Sequence, residues 1–467
     1  MTMPGTPPVI LSVDIGSSSL KAALIDFDGR LAAFSRSAYS MGALAADWEK
    51  ALALTLKDLN AELPQCSIEG LCISGNGPTL VPVKRDGLAL PPLYWFDEKH
   101  LTQLERAGPE SAESARSESE KAASFFLPHA AWFKGHSNEY ERVGNFFSSH
   151  EWLSFKLGAD PFTALPHSLY ETYYWDEEQC RLFGLDRKKF PAFVKMGTLV
   201  GKVSAQAARS YGPGLKQGIP IVAGAPDFIT ALLGTRTVMD GDVCDRAGSS
   251  EGINLCASQR PSLNGGLRVL PHAMEGLWNI GLVIPLSGRL FESYRSATGQ
   301  EKRPYGEHLA ELIPKPYVPA SWPPNPQTQV PNSPLDLGRS VLCEIAFAVR
   351  AAIGTLGAFG FPVRRMRVSG GQGKNPLWNQ LKADITGLTL QIPEINDAEL
   401  TGNVMLCAVA LSLNTESNFE NALIKAMDKM IRFRDLYKPN PETASFWEES
   451  FKFYLEKTGN KSLQGKI

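Results

Sequence analysis

Two apolar runs, residues 10–13 and 22–25, flank a short polar turn that carries Asp14, Gly16, Ser17, Ser18, Ser19 and Lys21. Short apolar runs around a Gly/Ser-rich turn predict a strand hairpin. The pattern returns, with a one-residue gap, in VCDRAGSSEGINLCAS at residues 243–258. There an acid, a glycine and paired serines again separate apolar stretches. The match is short, and by itself it points only weakly to a duplication. The order after the second copy agrees with this. RMRVSGG reads as a strand ending in glycines, NPLWNQLKADITG as a helix, LTLQIP as a strand and ELTGNVMLCAVALSL as a small-residue helix. That alternation is the signature of a covered α/β sheet.

The turn has a chemistry as well as a shape. An acid at a strand end can hold a hydrated Mg²⁺, a glycine lets backbone approach a ligand, and serines offer donors to phosphate oxygens. An ordinary Gly/Ser hairpin turn is the other reading of the same residues. In the first half, the strand at residues 68–74 runs into Gly75, Asn76, Gly77 and Pro78. Ligands gather at such strand ends in open α/β sheets. An aromatic–acid–base cluster follows at Trp95, Asp97 and Lys99, and a strand at 219–222 enters AGAPDFITALLGT, which contains Asp227.

At 467 residues the chain exceeds one typical core. The expected domains are 1–240 and 241–440, with 441–467 a peripheral polar tail. The net charge is −2, from 47 basic and 49 acidic residues. That leaves no footprint for nucleic acid and no polybasic membrane signal. Seven cysteines without a CxxC pair argue against a disulfide framework or structural zinc, and for a reducing, cytoplasmic compartment. MTMPGTPP lacks the features of a signal peptide. The longest apolar run, near residues 345–361, contains Arg350 and reads as a buried helix rather than a membrane span.

Four blocks now stand in order: DIGSSS (14–19), AGAPDFITALLG (223–234), DRAGSS (245–250) and SGGQGKNPLWNQLKAD (369–384). Together they resemble the FGGY carbohydrate kinases of the actin-like ATPase superfamily, over about residues 9–413. The resemblance implies two actin-like (ribonuclease H-like) α/β domains, each a mixed sheet flanked by helices, with an interdomain cleft. It implies ATP and Mg²⁺ as cofactors, the sugar on the first domain and the nucleotide on the second. Asp14 falls near the Mg²⁺, with Gly16, Ser17 and Ser18 toward the phosphates. Gly248, Ser249 and Ser250 match a second phosphate loop. Gly370, Gly371, Gln372, Asn375 and Asn379 match the adenosine motif. Asp227 matches the catalytic base. Trp95, Asp97 and Lys99 fall where the family has a tryptophan, an acid and an arginine on the sugar, and Asn76 where it has glutamine or histidine. The implied partner is a small sugar or polyol, with a pentulose such as D-xylulose the default, and homodimers are common among such kinases.

Several positions depart from the family pattern. Pro226 and Phe228 flank Asp227, and Lys99 lacks the planar fork of arginine. His129 replaces a lysine, Glu151 an aspartate and Trp152 a tyrosine. These changes predict an altered pocket, and they keep a second class open: a nucleotide-binding regulatory homologue without sugar phosphorylation. Asp227 as a plain helix N-cap and Trp95 as a surface-loop aromatic are the structural alternatives. His129, His136 and His150 have no metal-ligand spacing and read as core or solvated side chains.

Overall fold

The computed structural model describes residues 8–97, 124–261, 267–313, 333–361, 363–412 and 418–458. In chain order, β1 (Val9–Ile15), β2 (Ser19–Asp26), β3 (Leu31–Ala38), α1 (Ala45–Glu62) and β4 (Ile68–Gly75) come first. Next are β5 (Val81–Lys84), α2 (Leu127–His136), β6 (Val143–Phe147), α3 (Ser149–Leu157), β7 (Thr163–Leu165) and β8 (Phe193–Lys195). β9 (Leu199–Lys202), β10 (Pro220–Val222), α4 (Asp227–Gly234), β11 (Asp242–Ala247), β12 (Glu251–Ala257), β13 (Arg268–Pro271) and β14 (Trp278–Ile284) follow. The chain continues through α5 (Gly288–Ala297), α6 (Pro334–Ala358), β15 (Arg365–Ser369), α7 (Pro376–Thr386), β16 (Leu390–Pro393) and α8 (Ala398–Ser412). It closes with α9 (Phe419–Met430), β17 (Phe433–Tyr437) and α10 (Ala444–Thr458).

Two compact units divide these elements. The first takes the chain to Gly234, then Ala273–Glu275 and Glu399–Met430; the second takes Thr235–His272, Gly276–Ala398 and the chain from Ile431. Two boundaries therefore lie away from the expected ones. Helices α8 and α9 belong with the first unit, because α8 is hydrogen-bonded to its central strands. Ser12 Oγ donates to Leu400 O at 2.9 Å, and Asn403 Nδ2 to Val13 O at 2.9 Å. The segment read as a peripheral tail instead holds α10, whose Trp447 is 1% exposed in a cluster with Phe347, Trp378 and Leu381. Its run of charges, EES and EK, hid that anchor in the sequence.

In the first unit the sheet order is β3-β2-β1-β4-β10-β9. β1, β4 and β10 are parallel neighbours, and β1–β2–β3 is an antiparallel meander. All seven residues of β1 are buried, as a strand covered on both faces requires. Trp48, Leu52, Leu56 and Leu59 form the buried stripe of α1, and Trp48 meets Trp152 of α3 at 5.7 Å.

The second unit has the order β13-β14-β12-β11-β15-β16-β17, with β11, β15 and β16 parallel. Helix α6 is long and apolar enough to cross a membrane by length and composition. Its Leu342, Ile345, Val349, Ala352 and Leu356 are buried within the unit, so it is the core helix that the sequence predicts.

Candidate active site

Strands β1, β4 and β10 end at one edge of the first sheet. Asp14 pairs with Ser74 and Ile15 with Gly75, while Gly75 bridges Pro226. The carboxyl edge thus gathers Asp14, Asn76 and Asp227, the position at which open α/β sheets bind ligands.

Asp14 is 2% exposed. Its Oδ1 accepts from Ser74 Oγ at 2.8 Å, and its Oδ2 faces Lys21 Nζ at 3.5 Å. Asn403 Nδ2 donates to Ser74 Oγ at 3.0 Å, so an α8 amide orients the hydroxyl that orients the acid. Ser74 and Asn403 were not readable as site residues. The one available signal was a lone amide in the apolar run NVMLCAVALSL. The turn beyond Asp14 is pinned by main chain: Gly16 N donates to Ser19 O at 2.9 Å and Tyr39 Oη to Gly16 O at 2.7 Å. Gly16, Ser17 and Ser18 stay half-buried.

Asp227 is half-buried and is the first residue of α4. Pro226 O accepts from Ile229 N (2.9 Å) and Thr230 N (3.2 Å), so Pro226 fills the place that the N-cap alternative gave to Asp227. A carboxylate in a first helical turn is favoured by the partial positive charge there. Phe228 is buried. Asn76 is buried too: its Oδ1 accepts from Thr79 Oγ1 at 2.8 Å and its carbonyl from Ser149 Oγ at 3.2 Å. Among the described residues its Nδ2 has no acceptor.

Trp95 is 36% exposed and edge-on to Phe96, and Asp97 N donates to Tyr94 O at 2.9 Å. A bridge between Leu80 and Leu93 ties this segment to the chain just past Asn76. Lys99 lies outside the described residues.

Three of the positions that predicted an altered pocket, Glu151, Trp152 and His129, have interior roles. Glu151 is buried and closes the start of α3: its Oε2 accepts from Ser148 N at 2.7 Å and its Oε1 from Ala164 N at 2.8 Å. Burial pushes its carboxyl up to about 7. Trp152 packs on Trp48. His129 sits between the carbonyls of Phe125 and Tyr94 at 3.3 and 3.2 Å. His150 is buried beside Ser148 Oγ, and burial lowers it to about 3, so it carries no charge. The ring of His136 stacks on Trp132 at 4.6 Å.

In the second unit, Gly248, Ser249 and Ser250 form the tip of the β11–β12 hairpin, partly open to solvent. Gln372 Nε2 donates to Gly248 O at 3.1 Å and so joins this tip to the loop after β15. Gly370 has φ +89° and a Cβ there would stand 2.8 Å from Ala247 O, so only glycine fits. Gly371 is exposed, and a Cβ there would meet nothing within 4 Å. Asn375 caps α7, its Oδ1 accepting from Leu377 N and Trp378 N at 2.9 and 3.2 Å. Asn379 is fully buried and donates to Gly373 O at 2.9 Å. Both asparagines therefore shape the loop from behind.

Four further residues in this unit, Asp245, Glu251, Ser287 and Lys382, were given no site role from the sequence. Lys382 Nζ is 2.8 Å from Asp245 Oδ2 and also contacts Glu251, with all three side chains buried. Burial and the neighbouring Glu251 push Asp245 well above the usual carboxylate range, while Lys382, working against burial, holds Glu251 below it. Ser287 Oγ donates to Glu251 Oε2 at 2.5 Å.

These residues fit the implied cofactors. The open glycine loops of the second unit offer main chain to a nucleotide. Mg²⁺ is held through one or two carboxylates plus phosphates, and Asp14 would supply one such carboxylate. Among the described residues no group of three or more His, Cys, Asp or Glu assembles.

The chain is 23% identical to the Escherichia coli strain K12 autoinducer-2 kinase, over 94% of this chain and 92% of that protein. It superposes on xylulose kinase from Rhodospirillum rubrum with a TM-score of 0.73 at 17% identity, covering 97% and 99% of the two chains. It superposes on Plasmodium falciparum glycerol kinase with ADP with a TM-score of 0.75 at 15% identity, covering 98% and 99%. Residues 9–234 match the N-terminal domain and residues 311–411 the C-terminal domain of the FGGY family of carbohydrate kinases. The chain therefore belongs to the FGGY family of carbohydrate kinases, enzymes that phosphorylate a sugar hydroxyl.

Proposed function

We propose that this protein transfers the γ-phosphoryl group of ATP to a hydroxyl of a small sugar or polyol, with Asp227 as general base. The observation that carries the reading is the convergence of Asp14, Asn76 and Asp227 on one carboxyl edge of the first sheet. A sugar hydroxyl is a poor nucleophile, so a carboxylate must take its proton as the new bond forms. Asp227 supplies that carboxylate, half-buried at a helix start where its charge is favoured. Among the described residues Asn76 Nδ2 is a buried donor without an acceptor, a state that costs about 1–3 kcal/mol and that a sugar oxygen would relieve. In the first unit Asp14 would hold Mg²⁺, which when bound neutralises charge on the phosphates; in the second unit the loops at Gly248–Ser250 and Gly370–Gln372 would take the nucleotide. Seven free cysteines, five of them buried, support a reducing compartment.

For substrate, a pentulose such as D-xylulose leads, and the relatives' names add autoinducer-2 and glycerol. A coupled ADP-release assay across ketoses, aldoses and polyols, with these three included, tests the reading. Turnover with at least one member is expected. Nucleotide binding without turnover on any member contradicts it and favours a regulatory homologue.

A further inference from the structure

Behind the Gly248–Ser250 tip runs one continuous polar chain within the second unit. It starts at the buried Asp245–Lys382–Glu251 cluster. It passes from Glu251 Oε2 to Ser287 Oγ (2.5 Å), from Ser287 Oγ to Gln372 Nε2 (2.7 Å), and from Gln372 Nε2 to Gly248 O (3.1 Å). Helix α5 begins immediately after Ser287. Gly288 N donates to Gly248 O at 3.1 Å, and Arg289 N to Ser249 O at 3.0 Å.

Burying an ammonium beside a carboxylate and a second carboxyl group is costly even when they pair, and apolar residues of similar volume would often stabilise a fold as well or better. What charge supplies here is direction. An ionised carboxylate only accepts, so the Ser287 proton points to Glu251 and leaves a lone pair for Gln372. The Gln372 amide is thereby oriented to donate, and it donates to Gly248 O. Across a planar trans peptide the carbonyl and the next N–H point in opposite directions. Holding the carbonyls of Gly248 and Ser249 on the inner side therefore sets the N–H groups of Ser249 and Ser250 on the other.

We propose that Asp245, Lys382, Glu251 and Ser287 are positioning residues that aim the Ser249 and Ser250 amides at the phosphates of the bound nucleotide. The proposal rests on the reading of this tip as a phosphate loop. Asp245 acts through Lys382, Lys382 through Glu251, and Glu251 through Ser287; none of the four needs to touch the nucleotide.

Lys382→Met would leave two buried carboxylates without their cation, so the test begins at the lighter end of the chain. ADP and adenosine affinities are measured by calorimetry for the full chain and for Ser287→Ala, Glu251→Gln and their double variant. Ser287→Ala should weaken ADP about tenfold and leave adenosine within about twofold. The double variant should be no weaker than the worse single one, since both cut the same chain. ADP affinity unchanged in Ser287→Ala overturns the proposal, as does an equal loss for adenosine, which would mark a general structural role. A wild-type chain that binds neither probe overturns the nucleotide reading itself.

Discussion

Glu151 accepts two main-chain hydrogen bonds in a site closed to water. Burial raises it from 4.5 to about 7, so the folded chain binds the proton more tightly than the unfolded chain. The linkage sign follows. This group's stabilisation is fully present below about 4.5, declines as pH rises to about 7 and is flat above that. At about 1.4 kcal/mol per unit the decline is on the order of 3 kcal/mol. Glu151→Gln should remove this component and unfold at lower urea near pH 5, where the protonated glutamate still caps α3. Urea unfolding of both proteins at half-unit steps from pH 4.5 to 8 checks it, and parallel profiles would contradict the assignment. In the sequence that position was an acid in a stretch that resembles the family's. Its burial depends on the Ala164 amide thirteen positions away, which no local pattern reports.

Elements meet where side chains are absent. A Cβ on Gly402 of α8 would stand 2.1 Å from Thr230 O of α4, so the two helices approach at backbone distance. Helix α4 begins at Asp227. Gly402→Ala should destabilise the first unit by about 1–3 kcal/mol, the usual range for overpacking. It should also lower kcat per folded molecule by moving the element that carries the proposed base. Denaturant midpoint and kcat measured together test this, and a variant matching the wild type in both would contradict the contact. The glycine-rich turns were legible because a turn's chemistry sits within a few positions, as in Asp14–Ser19. The Gly402 contact was not, since its partner lies in another helix far along the chain.

For the whole molecule, the alternation of strands and helices was legible in the sequence, and so was the ordered set of glycine loops. Long-range polar pairs were not: Lys382 and Glu251 are 131 positions apart, and Asn403 and Val13 are 390 apart. The proposed division of chemistry between the units makes a further prediction. ADP at a hundred times its Kd should stabilise whatever it binds by about 2.7 kcal/mol. Hydrogen exchange should show that protection in β11, β15 and α7; protection confined to β1–β4 would contradict a nucleotide site in the second unit. The central claim is that Asp227 takes the sugar proton, and the most direct measurement is ADP release by Asp227→Asn on the substrate that the wild type turns over. Turnover should fall by about 10²- to 10⁴-fold with ADP affinity retained; turnover near the wild-type rate per folded molecule would contradict the account.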